Sequence, residues 1–164
     1  MKLYLCRHAD AADPLDDLRD DDRWLTPKGR KQARKVGKAL AREDEGPEVI
    51  LTSPLVRAVQ TAEGLAHALD FDGAIEATRA LAPGGRLSAA LAAVAAQAPD
   101  AKAVYLVGHE PMMSEWASLL LGTRFPRAFA KGAVLRLDFD DEPAPGRAQA
   151  KFFLTPEKLE KQEL

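Results

Sequence analysis

Short apolar runs alternate along the chain with segments whose apolar residues recur every three or four positions. The runs at 2–6, Val49–Thr52 and 103–108 are apolar on both faces, which is typical of parallel strands covered by helices. A weaker strand is predicted at 75–78. Two last runs, "AVLRLDFD" and "AQAKFFL", flank the turn "EPAPG" and predict a hairpin.

Helical periodicity follows most of these strands. Thr26 and Pro27 have the residue types of an N-cap and a first helical position, and Ala33, Val36, Gly37 and Leu40 share one face of the helix that follows them. Ser53 and Pro54 predict a second helix with Arg57 on its first turn. Further helices are predicted at 87–98 and 111–121, the last closed by Gly122.

This alternation predicts an α/β fold: a three-layer α/β/α sandwich whose central sheet is mostly parallel, with an antiparallel edge. No linker or repeat interrupts it, so residues 1–164 are expected to form a single domain. Arg7 with His8, Arg57, and His109 each follow a predicted parallel strand. Because open α/β sheets bind ligands outside the carboxyl ends of their strands, these four side chains are expected to converge.

Composition narrows the class of protein. The net charge of −2 gives no electrostatic reason to expect a nucleic acid partner, and nothing indicates a membrane segment. The one cysteine cannot form an internal disulfide and no leader sequence is evident, which favours a cytoplasmic location. The three histidines lack metal-ligand spacing, so no metal is expected. A monomer is expected, without a cofactor.

Two guanidinium groups and two imidazoles suit a tetrahedral dianion such as phosphate. The arginines would hold its oxygens while one imidazole attacks phosphorus. A histidine nucleophile must be neutral, and nearby arginines are expected to lower its pKa. A backbone carbonyl could fix the tautomer, although either ring nitrogen could be the one that it holds. His67, late on a helix and without a motif, is expected to be structural.

The stretches "LCRHAD", "SPLVRAVQTA" and "VGHEP" together resemble the histidine phosphatase superfamily, which is phosphoglycerate mutase-like in fold. The resemblance covers roughly residues 2–121. It implies that His8 is the phosphorylated nucleophile and that Arg7, Arg57 and His109 bind phosphate. The family has Arg-His-Gly where this chain has Ala9, a change expected to cost little. "RWLTPKGRKQA" resembles a further family segment, which would bring Arg23 to the phosphate.

The short chain is most similar to the phosphohistidine phosphatase subgroup. Larger members carry a glutamate general acid between the second arginine and the second histidine, where this chain has "RALAPGGRL". An alkoxide leaving group needs a proton donor, whereas a phosphorylated imidazole can leave as a neutral ring. If an acid acts, the candidates are Asp10 and the residues of the acidic segment: Asp16, Asp17, Asp20, Asp21 and Asp22. That segment is otherwise expected to be a solvated loop whose negative charge repels anions other than the substrate.

The expected function is therefore removal of phosphate from a histidine-phosphorylated protein, such as a histidine phosphotransfer domain, through phospho-His8, with phosphate as product. A small-molecule phosphomonoesterase or a phosphoglycerate mutase-like phosphotransferase is the alternative. A phosphate-binding module without catalysis is a third, which the presence of His8 disfavours, because binding alone needs only the arginines.

Overall fold

The computed structural model describes residues 1–14 and 18–160, and these contain a six-stranded sheet. Its strands are β1 (Lys2–Arg7), β2 (Val49–Thr52), β3 (Ile75–Ala77), β4 (Ala103–Gly108), β5 (Val134–Asp138) and β6 (Gln149–Leu154). They lie in the order β3-β2-β4-β1-β5-β6. The first four are mutually parallel, and β5 and β6 extend the β1 edge in antiparallel fashion, as the sequence predicted.

Four helices cover the two faces of this sheet and complete the predicted three layers. They are α1 (Pro27–Ala41), α2 (Val56–Ala68), α3 (Leu87–Gln97) and α4 (Met112–Leu121). On one face α1 and α2 pack against strand residues such as Ile50 and Val107. On the other face α3 and α4 pack against Leu5 and Leu106. Within the described residues, no helix combines the length and the apolar character needed to cross a bilayer.

Helix α1 begins as predicted, because the Thr26 hydroxyl accepts a hydrogen bond from the backbone N–H of Gly29 at 3.0 Å and Pro27 occupies the first position. The predicted cap of α2 is wrong. That helix begins at Val56 after Leu55, two residues beyond Ser53, whose hydroxyl instead lies in the site described below. Arg57 is still on the first turn. Gly122 ends α4 with φ +69°, a conformation that glycine adopts without a Cβ clash.

A buried polar cluster ties β1 to β4 on the α1 side of the sheet. Tyr4 and Tyr105 are register partners, and their rings stack with centroids 4.2 Å apart. The Tyr4 hydroxyl donates to the Glu45 carboxylate and the Tyr105 hydroxyl donates to the Glu45 backbone carbonyl. Arg136 on β5 donates to both oxygens of the same carboxylate, at 2.8 and 3.0 Å. The middle of the sheet is therefore fixed by satisfied hydrogen bonds as well as by apolar packing.

Candidate active site

Three parallel strands end together at one edge of the sheet. Arg7 pairs with Gly108 in register, and the next residue of each strand is a histidine. The backbone N–H of His8 donates to the Gly108 carbonyl at 3.0 Å, and that of Ser53, just after β2, donates to the Val107 carbonyl at 2.9 Å. The structure brings two of the four predicted side chains together here, since the His8 and His109 rings lie with centroids 5.1 Å apart and both residues are buried.

The His8 ring is held by its own chain. Its Nδ1 lies 2.8 Å from the carbonyl oxygen of Ala9. A carbonyl oxygen can only accept, so Nδ1 carries the proton and the lone pair of the neutral ring is on Nε2. The backbone N–H of Ala9 in turn donates to Thr61 Oγ1 at 3.0 Å, which holds the residue whose carbonyl orients the ring.

Burial and neighbouring cations keep His8 neutral. Removal from water is the largest cause, and together with the positive charges of Arg57, Arg7 and Arg23 it lowers the pKa of the ring to about 4, against the opposing effect of the Ala9 hydrogen bond. The predicted direction is confirmed. The predicted cause is incomplete, because desolvation contributes more than the arginines do.

His109 faces a different set of partners. Its Nε2 lies 2.8 Å from Ser53 Oγ, and its buried Nδ1 has no hydrogen-bond partner among the described residues. Burial is the largest cause that lowers the pKa of His109, to about 3. The positive charge that His8 carries once it is protonated comes next, followed by the charge of Arg57. The ring is thus a neutral group at physiological pH, held by a hydroxyl that itself accepts from the Leu55 N–H.

Arg57 projects from the first turn of α2 and is 4% exposed. Its Nη1 donates to the Asp20 carbonyl oxygen at 2.6 Å and its Nη2 to the Asp20 carboxylate at 3.0 Å. Arg23 contacts the other oxygen of that carboxylate through Nε, at 2.9 Å. The structure therefore brings Arg23 close to Arg57, because both arginines contact the carboxylate of Asp20.

Arg7 is held by a different segment of the chain from the one that holds Arg57. Its Nη1 donates to the carbonyl oxygen of Phe129 at 2.6 Å, while the buried Nε atoms of Arg7 and Arg57 have no partner among the described residues. Buried donors without partners are rare in proteins and are costly unless a ligand or water satisfies them. Two such guanidinium atoms beside two neutral imidazoles form a site suited to an oxyanion.

The comparisons with known proteins agree with this geometry. A family model for the histidine phosphatase superfamily (branch 1) matches residues 3–83. An uncharacterised protein from Picosynechococcus sp. is 46% identical over 122 residues, which are 73% of this chain and 73% of that protein. The chain belongs to the histidine phosphatase superfamily. It is accordingly a phosphatase, as the three motifs predicted.

Two further relatives within the superfamily carry more specific names. Phosphohistidine phosphatase SixA of Escherichia coli is 28% identical over 142 residues, 86% of this chain and 87% of the relative. A solved structure of the protein histidine phosphatase SixA, complexed with tungstate, superposes with a TM-score of 0.86 at 26% identity. The superposition covers 98% of this chain and 100% of the chain in that structure. The resemblance to the SixA-like members is confirmed.

Ala9 stands where the superfamily signature has glycine. The structure explains why the change is tolerated: among the described residues other than glycine, only Asp44 and Asp70 have positive φ, so Ala9 adopts a backbone conformation that any residue can reach. Its side chain is fully buried in a small cluster with Leu25 and Ala33. The methyl group therefore packs between the site and α1.

The candidate acids of the sequence are engaged as carboxylates. Although burial opposes it, hydrogen bonds and charge from Arg57 and then Arg23 lower the pKa of Asp20. Hydrogen bonds from Lys131 and Thr26 lower the pKa of Asp10.

Asp21 and Asp22 are exposed and lie within ion-pair distance of Arg19. Asp16 and Asp17 lie outside the described residues. For the described acids this weighs against proton donation.

Sequence reasoning missed the residues that support the site from behind. Glu110, next to His109, accepts from the Phe129 N–H at 2.8 Å and from the N–H and hydroxyl of Ser114. It thus holds the backbone of Phe129, the residue whose carbonyl accepts from Arg7. Gln32 on α1 accepts from the Asp10 N–H at 2.9 Å. The position of Glu110 inside "VGHEP" was the available signal. Thr61 inside "SPLVRAVQTA" and Gln32 inside "RWLTPKGRKQA" carried the same signal, whereas nothing local marked Phe129. His67 is exposed on α2, and no contact places it at the site.

Proposed function

We propose that this phosphatase removes the phosphoryl group from a phosphohistidine side chain of a protein, through a covalent phospho-His8 intermediate. The observation that carries the proposal is the His8 ring itself. Its Nδ1 proton is committed to the Ala9 carbonyl, its pKa is lowered to about 4, and it lies against His109 at the strand ends where Arg7 and Arg57 also meet. A neutral ring nitrogen held in one orientation is what an attack on phosphorus requires.

In the first step the lone pair on His8 Nε2 attacks phosphorus, and the bond between phosphorus and the substrate imidazole breaks. The bonding electrons leave with the substrate ring, which departs neutral when its other nitrogen carries a proton. Arg7, Arg57 and His109 would hold the phosphoryl oxygens, with Arg23 as a further cation. In the second step water attacks phosphorus, giving phosphate and free His8. Each well-placed donor contributes on the order of 10² to 10³ in rate in comparable sites.

The state of the acids favours a phosphorus–nitrogen bond over an ester bond. Asp20 and Asp10 are held as carboxylates by cations and hydroxyls, so neither is set to protonate an alkoxide. An imidazole leaving group does not need that proton from the enzyme. The relatives named SixA are phosphohistidine phosphatases, and one of them holds tungstate, a phosphate-like oxyanion, which supports the same assignment here. A histidine phosphotransfer domain would be a fitting protein substrate.

The test is a single-turnover reaction with a peptide carrying radiolabelled phosphohistidine. The label should appear on His8 after an acid-free quench and should be lost from the His8→Ala variant, whose turnover should fall at least about a thousandfold. His67→Ala is the matched control and should keep full activity. Full turnover by His8→Ala would refute the intermediate.

Simple alkyl phosphates separate the remaining alternatives. A phosphohistidine phosphatase should cleave them poorly, with kcat/KM at least about a hundredfold below that for the phosphohistidine peptide. Efficient turnover of alkyl phosphates would indicate a small-molecule phosphomonoesterase. Tight phosphate binding without any hydrolysis would indicate a binding module.

A further inference from the structure

Every charged residue on the exposed half of helix α1 is cationic. Successive residues are offset by about 100° around a helix axis, and this spacing puts the seven buried residues of α1 on one half of its circumference. The other half carries six exposed cations, here named the basic face, and the exposed Pro27 and Ala41 at its two ends. The basic face consists of Lys28, Arg30, Lys31, Arg34, Lys35 and Lys38. No acidic residue lies in the helix, although the whole chain has a net charge of −2.

This arrangement is unfavourable for an isolated helix. Like charges three or four residues apart, such as Lys31 with Lys35 and Arg30 with Arg34, repel by about 0.2 to 0.5 kcal/mol a pair. Cations on the first turn also oppose the helix dipole, and that turn holds no acidic residue. None of the ion pairs formed within the described residues involves the basic face. Apart from the charge of Lys28, which acts on Asp10, the positive charge of the basic face is therefore available to a partner.

The basic face begins beside the active site. Thr26, the cap of α1, donates its N–H to the Asp10 carbonyl at 3.0 Å, two residues after His8. Gly29 lies so close to Asp10 that an added Cβ would come within 2.0 Å of its carbonyl oxygen. From Lys28 to Lys38 the face then runs away from the site for roughly 15 Å, at 1.5 Å per residue.

The rim of the site has the opposite charge on another side. Asp20, Asp21 and Asp22 are exposed there, with Asp20 bridging Arg57 and Arg23. A nucleic acid, which is anionic along its whole length, would meet repulsion at this rim. A folded protein can present acidic residues on one side only. The apolar half of α1 is buried in the core, so the helix has no apolar face left to enter a membrane.

We infer that the basic face of α1 is the docking surface for the protein substrate, and that it selects phosphohistidine proteins whose surface beside the phosphorylated residue is acidic. This inference rests on the proposed function and adds the surface chemistry of the partner. Charge of this kind steers encounter and raises the association rate, and its effect falls steeply with ionic strength.

The test compares three substrates at low and at physiological salt. Two are peptides of equal length with one central phosphohistidine, flanked by glutamates in one and by glutamines in the other. The third is the phosphohistidine amino acid, which reaches the active site without touching α1. The wild type should prefer the acidic peptide in kcat/KM by at least about fivefold at low salt, with a smaller preference at physiological salt.

Charge reversal on α1 should remove this preference. The triple variant Lys31→Glu, Arg34→Glu, Lys35→Glu should favour the neutral peptide, with turnover of the amino acid unchanged. The matched control reverses three exposed cations elsewhere, Lys102→Glu, Arg147→Glu and Lys151→Glu, and should keep the preference. Replacing the α1 trio by glutamine should bring the two peptides to equal rates in a protein at least as stable as the wild type, because the repulsion is relieved.

The possible failures are distinguishable. If the wild type hydrolyses all three substrates and treats the two peptides alike, or if the control variant loses the preference as fully as the α1 variant does, the docking surface is refuted and the proposed function stands. If no phosphohistidine substrate is hydrolysed, both are refuted. If the wild type binds duplex DNA or single-stranded RNA at physiological salt and the α1 variant does not, the face is a nucleic acid site instead.

Discussion

The guanidinium of Arg57 and the single residue Asp20 contact each other twice, once through the Asp20 carbonyl oxygen at 2.6 Å and once through its carboxylate at 3.0 Å. An aspartate carboxylate carries two oxygens and one negative charge, so it resembles part of a phosphate. Asp20 thus orients Arg57 before substrate arrives, and it also competes for the same donors.

Asp20→Asn should therefore strengthen the binding of inorganic phosphate. We expect the inhibition constant of phosphate to fall by about three- to tenfold, because a neutral amide competes less well for Arg57 and Arg23. Competitive inhibition assays at neutral pH measure this constant. Asp22→Asn is the control, since within the described part of the chain the Asp22 carboxylate forms an ion pair with Arg19 alone, at 3.9 Å. Were Asp20 a general acid, its Asn variant would instead lose activity on phosphate esters about a hundredfold or more.

The two buried histidines should make folding stability depend on pH. Their pKa values are lowered to about 4 for His8 and about 3 for His109, from 6.5 in the unfolded chain. As the pH falls from 6.5 toward 4, the unfolded chain takes up protons that the folded protein refuses. The free energy of unfolding should then decrease, by up to about 1.4 kcal/mol per pH unit for each histidine.

Urea unfolding at pH values from 7.5 to 4.5 measures this slope. His109→Phe should remove close to half of it, whereas the exposed His67, replaced by Gln, should leave it unchanged. Asp10 and Asp20 act only below about pH 5, because their lowered pKa values start from 3.8, so the slope between pH 6.5 and about 5 reports the histidines. A flat stability profile between pH 6.5 and 4.5 would contradict the buried neutral state of both rings.

Glu110 should act as a positioning residue for Arg7. Glutamine at this position keeps one acceptor and turns the other into a donor, which cannot satisfy both the Phe129 N–H and the Ser114 N–H. We expect Glu110→Gln to lower kcat/KM about tenfold, mainly by raising KM, because Arg7 would hold substrate less firmly. Steady-state kinetics measures the split. Glu115→Gln, exposed on the next turn, is the control, and a change in melting temperature alone would reduce Glu110 to a structural role.

Gly29 should be indispensable for the loop that follows His8. Alanine there would place Cβ 2.0 Å from the Asp10 carbonyl oxygen, so the loop or the helix must shift. We expect Gly29→Ala to lower the free energy of unfolding by about 1 to 3 kcal/mol and to lower kcat as well, because the Ala9 peptide that holds His8 belongs to the same loop. Denaturant unfolding and turnover assays measure the two effects. Gly46→Ala is the control, with nothing within 4 Å of the added atom.

Sequence alone was sufficient for the parts of the site that the sheet itself brings together. Buried strands followed directly by Arg7–His8 and by His109 could be recognised from the chain, and parallel pairing put them in step. Ser53 was assigned to the wrong role because a serine before a proline and a helix has the pattern of a cap. Its hydroxyl contacts His109, 56 positions away, and no local pattern carries that information.

The supporting contacts were beyond sequence reasoning for the same reason. Glu110 acts on Arg7 through the backbone of residue Phe129, and Thr61 acts on His8 through the backbone of residue Ala9. Each of these contacts depends on how separate segments of the chain meet. One partner in each contact is a backbone atom, and backbone atoms are the same at every position of a sequence. The lowered pKa of His8 could be predicted in direction from the arginines nearby. Its main cause, burial, required the packed structure.

The stacked tyrosines below the site have one more consequence. Tyr4 and Tyr105 lie four residues before His8 and His109 on the same two strands, and both are tied to Glu45 in the interior. The spacing between the two histidines is therefore set by a buried cluster rather than by the rim of the site. The loops at the rim could therefore be redesigned to accept other substrates while the distance between His8 and His109 stays the same.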